Sequence, residues 1–264
     1  MSPTLTFRSE TALQHETTPL RSIITPPDHP PGGNGSIQRG NRVSLLRTLQ
    51  FALAIPGFLN AQRRLEPEDF FELAMERLDA EGLMAWRARS LAAVRGRVLD
   101  VGVGTGRSFP LYGPRARVVG LEPDAALRKV AAQRGEIFGF SVLGASAEHL
   151  PFVDGHFDAV AVHLALCCIP DAAQACREFR RVLRPGGALH LLEHVQSETP
   201  LGALCLRGLD PIWARMTREA CHPARRTLDT VRAAGFRVDC VERGIFPAAG
   251  MPPFPLIWAR AKAR

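Results

Sequence analysis

Lysine is almost missing from this chain. Only Lys129 and Lys262 stand among 33 basic residues, so 31 are arginine, scattered with acids between them. The formal net charge of +7 and pI near 9.7 would by themselves suggest nucleic acid or an anionic membrane. No basic stripe with interleaved aromatics accompanies that charge. Such an arginine bias reads instead as that of a GC-rich genome. Cysteine pairs are missing too. Cys167, Cys168, Cys176, Cys205, Cys221 and Cys240 form no C-x-x-C, and no secretory signal precedes them. Spacing therefore indicates neither a zinc site nor a disulfide framework, no metal is expected, and a reduced cytoplasm is the expected compartment.

Uninterrupted apolar runs are equally scarce. Residues 42–60, RVSLLRTLQFALAIPGFLN, are broken by Arg47, Gln50 and Pro56, which leaves them short of a membrane span. A basic-flanked apolar helix lies on a membrane surface, caps a substrate pocket or packs on its own domain, and all three stay open. Residues 1–41 lack periodicity and are rich in Thr, Ser, Pro and Gly. They are expected to be a disordered tail, with a transit peptide or an overlong gene start as alternatives. The remainder has ordinary globular composition, 46% hydrophobic and 22% charged, and is long enough for one large α/β domain. Three parts are expected: the tail 1–41, a helical lid or surface anchor 42–95, and a ligand-binding domain 96–264.

What is present starts at residues 98–106, VLDVGVGTG. An apolar run is closed by Asp100 and followed by Gly102, Gly104 and Gly106 at alternate positions. Glycine takes positive φ without penalty and lets a ligand approach the backbone closely. Amides after such a turn face outward at a helix N-terminus, where the field favours carboxylate or phosphate. The spacing is not the G-x-G-x-x-G of dinucleotide folds, and no Lys-Ser/Thr completes a phosphate loop. Twenty positions after Gly102, Glu122 ends a second apolar run, RVVGL at 117–121. An acid at the tip of a second strand accepts both hydroxyls of a ribose. Turn, strand and acid together predict a nucleoside site.

Strands are predicted over 97–101, 117–121, 140–143, 157–162, 187–193, 236–242 and 255–261. Helices are predicted over 124–134, 172–183 and 222–234, after a helical pattern from Pro67 to Val94. This alternation implies an α/β fold, a Rossmann-like doubly wound seven-stranded sheet with a C-terminal antiparallel hairpin. Ligands of such sheets bind at the carboxyl ends of the strands. The polar residues there are Asp100, Glu122 and Asp124, then Ser146, Ala147 and Glu148 in GASAEHLPF, then His163, and then Glu193 and His194. Each has a plainer reading. Asp100 and Glu122 also suit helix caps, Glu148 a surface acid, and His163 a hydrogen-bonded core histidine. Cys167 and Cys168 suit small apolar packing, and Asp210 and Trp213 suit helix packing.

Taken together, VLDVGVGTG, VVGLEPD, GASAEHLPF, FDAVAVHLALCCIPD and RRVLRPGGALHLLEHV resemble the class I S-adenosylmethionine-dependent methyltransferases, of the methyltransferase type 11 domain. The resemblance spans residues 67–264. Within that superfamily the chain looks most like the branch holding animal alkyl-thiol S-methyltransferases and their bacterial relatives. SFPLY at 108–112, LCC at 166–168, LEHV at 192–195, LDPIW at 209–213 and the Cys221–His222 pair carry that likeness. The branch is near the quinone C-methyltransferases and bacterial phospholipid N-methyltransferases.

The resemblance implies S-adenosyl-L-methionine as cofactor. Asp100, Gly102, Gly104 and Gly106 would surround its methionine part and Glu122 its ribose. Ser146, Ala147 and Glu148 would sit by the adenine, although the superfamily often has Asp where Ser146 stands. His163 would lie near the sulfonium. In-line transfer of an activated methyl needs alignment, desolvation and a deprotonated nucleophile. The expected acceptor is small and apolar, first a thiol, whose pKa of about 8.5 needs only a nearby base or positive field. The candidate bases are His163, His194 and His222. A quinone or phospholipid acceptor is the alternative, which would employ 42–60 as a lid or peripheral membrane contact. A non-catalytic cofactor-binding protein is the rival of another class. A nucleic-acid methyltransferase is not expected, since HLALCCIP stands where an N/D-P-P-Y/F motif would follow the fourth strand.

Overall fold

The computed structural model describes residues 56–57, 59–217, 221–245 and 254–263. The predicted tail 1–41 and most of the 42–60 segment fall outside them. Helix α1, Pro67–Leu78, has proline at its start, where a missing N–H costs nothing, and Glu68 and Asp69 beside the positive end of its dipole. It runs through a π-helical turn, Asp79–Leu83, into α2, Met84–Leu91. Gly82, at φ 118°, bends the run within that turn.

Seven strands follow: β1 (Gly96–Val101), β2 (Ala116–Leu121), β3 (Ser141–Leu143), β4 (Phe157–His163), β5 (Leu183–His194), β6 (Phe236–Ile245) and β7 (Pro255–Ala263). Their order across the sheet is β3-β2-β1-β4-β5-β7-β6. The first five pair in parallel, and β7 enters antiparallel between β5 and β6. The doubly wound sheet and its terminal hairpin are thus as the sequence predicts, with β6 at the edge. Helices α3 (Ala125–Phe138), α4 (Ala172–Val182), α5 (Pro200–Met216) and α6 (Thr227–Ala233) complete the described elements. Asp124 caps α3, taking the N–H groups of Ala126 and Leu127, and Asp171 caps α4 through the Gln174 N–H.

Side chains alternate between the faces of a strand, so each strand feeds two cores. Leu99, Val101, Val160, Val162, Leu189 and Leu191 pack with Phe179 and Val182 of α4 and Val231 of α6. Val98, Val118, Ala159 and Ala161 pack with Leu91 of α2 and Ala131 of α3. Helices therefore cover both faces, and the carboxyl ends of β1, β2, β4 and β5 are left for a site. Among the described residues no helix is long and apolar enough to cross a membrane.

Two spans differ from expectation. Strand β5 begins at Leu183 rather than 187, because RPGG enters the sheet as an irregularity and the register jumps between Phe157 and Ala159. Gly186 there has φ 75°, and a Cβ on Gly187 would meet the Arg184 carbonyl at 2.9 Å. The helix predicted over 222–234 shrinks to Thr227–Ala233. Pro223 disfavours helical backbone at His222, and the His222 N–H reaches the Cys167 carbonyl at 3.0 Å instead.

Candidate active site

The strand order reverses between β1 and β4, and the glycine turn sits on the β1 side of that point. Gly102, Gly104 and Gly106 have φ of 67°, 57° and 80°. A Cβ on them would lie 2.4 Å from the Ala165 Cβ, 2.7 Å from the Phe71 ring and 2.6 Å from the Phe109 ring. All three glycines are therefore required by the turn itself, and Phe71 of α1 closes over its middle. Glu122, buried at the tip of β2, accepts the N–H of Gly104 at 2.8 Å and of Asp124 at 3.0 Å. Burial raises its pKa, and those two amides pull against the rise. Asp100 is buried outright. Desolvation pushes its pKa up to about 7 against the Tyr112 hydroxyl and the Arg87 charge, and its Oδ2 has no hydrogen-bond partner.

Helix α1 is fastened to this turn by arginines that motif reading overlooks. Arg107 binds Glu72 at 2.7 Å and Asp79 at 2.6 Å, and Arg134 of α3 binds Glu72 at 3.0 Å and the Thr105 carbonyl at 2.8 Å. Arg87, buried, reaches Asp79 at 3.3 Å and the Ser108 hydroxyl at 3.1 Å. The signal available in sequence was only an acid in the middle of α1, Glu72, and another just past its end, Asp79. On the next loop the Ser146 hydroxyl bonds the Glu148 carboxylate, and Glu148 also takes the Asp171 N–H at 3.3 Å. Burial raises the Glu148 pKa, but the Ser146 hydroxyl and these amides outweigh it and leave it lowered. Ala147 between them is buried.

The β4 side is built differently. His163 is buried, its Nε2 sits 2.9 Å from the Ser90 hydroxyl, and desolvation holds its pKa well below the usual imidazole range. Leu164 follows at φ 55°, a left-handed geometry rare for a side chain of this size. It turns the loop 164–168 onto Gly102. Glu193, buried at the end of β5, holds that loop by accepting the N–H groups of Ala165, Leu166 and Cys167 at 2.9, 2.9 and 3.3 Å. Burial pushes the Glu193 pKa up to about 7. Beside the loop, the Cys221 Sγ lies 3.7 Å from the Cys167 Sγ and 3.7 Å from the His194 Nδ1. Half-buried His222 places Nδ1 2.8 Å from Asp210 Oδ2, and Asp210 Oδ1 accepts the Ala224 N–H at 3.1 Å. Trp213 is buried edge-on against Phe254. Thus Glu193 faces the loop while His194 faces Cys221, and Asp210 orients an imidazole rather than only packing a helix.

Comparison with known proteins places this geometry. Residues 99–191 match the methyltransferase domain family. Human thiol S-methyltransferase TMT1B is 30% identical over 183 residues, 66% of this chain and 74% of that protein. The class I S-adenosylmethionine-dependent methyltransferases are this chain's family. Human TMT1A is 32% identical over 145 residues, 53% of this chain but only 59% of its own length. The ubiquinone/menaquinone C-methyltransferase UbiE of Bartonella henselae is 34% identical over 141 residues, 50% of this chain and 54% of its own. The chain therefore spans less than two thirds of several curated relatives. A Bacillus halodurans methyltransferase structure shares the fold, with TM-score 0.57 at 20% identity over 69% of this chain and 99% of that one.

The residues of this methyltransferase fit the cofactor its family implies. A buried carboxylate oxygen of Asp100 without a partner is where an ammonium group is wanted. A carboxylate has about four acceptor positions, so Glu122, with two amides bound, keeps capacity for two ribose hydroxyls.

Proposed function

We propose that this methyltransferase transfers the methyl of S-adenosyl-L-methionine to a small apolar thiol in the cytoplasm or at a membrane surface. The bound cofactor supplies an electrophilic methyl on sulfur. In this reading Asp100 and the turn at 102–106 orient its amino-acid end, Glu122 its ribose, and Ser146, Ala147 and Glu148 its adenine. The observation that carries the thiol reading is the Asp210–His222 pair beside the 164–168 loop. Asp210 fixes the imidazole through Nδ1 and leaves Nε2 to take the thiol proton, the geometry a positioned general base requires. His163 is a poorer base, since its burial without a counter-charge disfavours the protonated ring. His194 abuts a thiol of the chain itself. The likeness to TMT1B and TMT1A supports the same acceptor class.

A quinone-like acceptor is the second reading, supported by the likeness to UbiE and by the exposed Leu201, Leu204 and Ile212 of α5, an apolar face suited to a lipid surface. The deciding experiment offers an alkyl thiol, a quinol and phosphatidylethanolamine in parallel and measures S-adenosylhomocysteine formation. The thiol is expected to turn over fastest. Turnover of the quinol alone would replace the first reading with the second, and cofactor binding without any product would favour a non-catalytic role. Co-sedimentation with liposomes, with and without residues 1–60, tests peripheral contact; equal pelleting would remove 42–60 from it.

A further inference from the structure

Three thiols from distant parts of the chain meet at the carboxyl edge of the sheet. Cys167 and Cys168 lie on the loop after β4, with Sγ atoms 3.6 Å apart. Cys221 arrives from 54 residues further on, with its Sγ 3.7 Å from that of Cys167. All three sulfurs lie within 4.8 Å of one another. The His194 Nδ1 is 3.7 Å from the Cys221 Sγ. Tetrahedral zinc holds thiolates at about 2.3 Å, which puts neighbouring sulfurs about 3.8 Å apart and a sulfur and an imidazole nitrogen about 3.6 Å apart. The sulfur separations agree with that arrangement.

The sulfurs are also fixed in place, as ligands of a metal site must be. Glu193 holds three consecutive amides of the loop. Arg225 bonds the carbonyls of Leu166 and Ile169 at 3.2 and 2.6 Å, and the His222 N–H bonds that of Cys167. Small apolar packing needs no such bracing.

We propose that Cys167, Cys168 and Cys221 form a binding site for one thiophilic divalent metal ion, zinc by geometry, with its fourth position open to a further donor. Binding displaces the three thiol protons to solvent and leaves the metal oxidation state unchanged. The ion ties the β4 loop, which rests on Gly102, to the segment after α5. Its function is independent of which acceptor the enzyme uses.

The test takes the full chain, reduced and stripped of metal by a chelator, and titrates it with Co2+ and then Zn2+. One Co2+ per chain, with thiolate-to-cobalt charge-transfer absorption that Zn2+ abolishes, is expected from the unaltered protein. Cys167→Ser and Cys221→Ser should each weaken Zn2+ binding by at least about 100-fold, beyond the 10–100-fold typical of a lost outer partner. Cys240→Ser should leave it unchanged. Absence of a saturable cobalt–thiolate spectrum in the unaltered protein would overturn the site, whatever the variants do. So would equal zinc affinity in Cys221→Ser. Neither result touches methyl transfer, which is read by product formation.

Discussion

The two sides of the site are made in opposite ways. On the β1–β2 side, a glycine turn and Glu122 lie within one stretch of chain, and each bonds the other: the Gly104 N–H ends on the Glu122 carboxylate. On the β4–β5 side, one local bond, from the Cys168 N–H to the Ala165 carbonyl at 2.9 Å, is joined by partners from distant parts of the chain. The loop 164–168 is braced by Glu193, faced by Cys221 and bonded by the backbone N–H of His222. The lesson is that the side proposed for the cofactor is written in contiguous sequence, whereas the side proposed for the acceptor is assembled by the fold. Variation on the second side leaves the first intact.

Four substitutions would break or sharpen this contrast. His222→Ala should cost kcat about 10²–10⁴-fold, the range for a general base, while cofactor affinity by calorimetry stays within about twofold. Unchanged kcat with a thiol acceptor would remove His222 from the chemistry. Asp100→Asn acts on the other side and through pH. A folded-state pKa near 7 against an ordinary value of 3.8 means the folded protein keeps a proton that the unfolded chain loses. That contribution is therefore present below about pH 4 and lost as pH rises toward 7, by on the order of 4 kcal/mol. Denaturant midpoints of the cofactor-free protein should fall between those pH values, and Asp100→Asn should flatten the fall. Equal slopes would contradict the assignment.

Glu122→Gln keeps the shape but weakens charge-assisted bonds, each worth about 1.5–3 kcal/mol. Cofactor dissociation constants should rise on the order of 10–100-fold with the acceptor KM little changed; a change confined to the acceptor would reverse the division of labour. The smallest effect is expected for Gly102→Ala. Its Cβ meets Ala165 at 2.4 Å from a left-handed backbone, which should cost about 1–3 kcal/mol in thermal unfolding. Because this glycine is where the two sides touch, Ala165→Gly should recover part of the loss. No recovery would place the strain in the backbone alone.

The cofactor side was legible because its parts obey local rules. Strand, glycine turn, strand and acid follow one another, and the winding of the sheet then follows from right-handed crossovers. The helix predicted over 222–234 went astray at its start because apolar periodicity outweighed Pro223, and with it His222, whose N–H bonds the Cys167 carbonyl, was assigned to the wrong element. The thiol cluster had no signature at all, since ligand spacing rules look for close pairs and Cys221 lies 54 residues from Cys167. Glu193 and His194 face different ways, as neighbours on a strand must. Which way each faced depended on a loop from another strand. Arg107 and Arg134 were hidden for another reason: in a chain this rich in arginine, composition says nothing about which arginines are buried in ion pairs.

The place of β7 has a consequence for how the molecule is made. Strand β5 has β4 on one edge and β7 on the other, and β7 follows β6 in the chain. While synthesis proceeds, β1 to β5 can assemble, but the outer edge of β5 keeps its row of amides and carbonyls bare until α5, α6 and β6 have emerged. An uncovered edge in a half-made sheet invites pairing with another nascent chain. The sequence-distant closure makes completion of the sheet a slow and late event. The strand that carries Glu193 and His194 is thus sealed only after most of the protein exists, and the loop that Glu193 braces is among the last parts to mature.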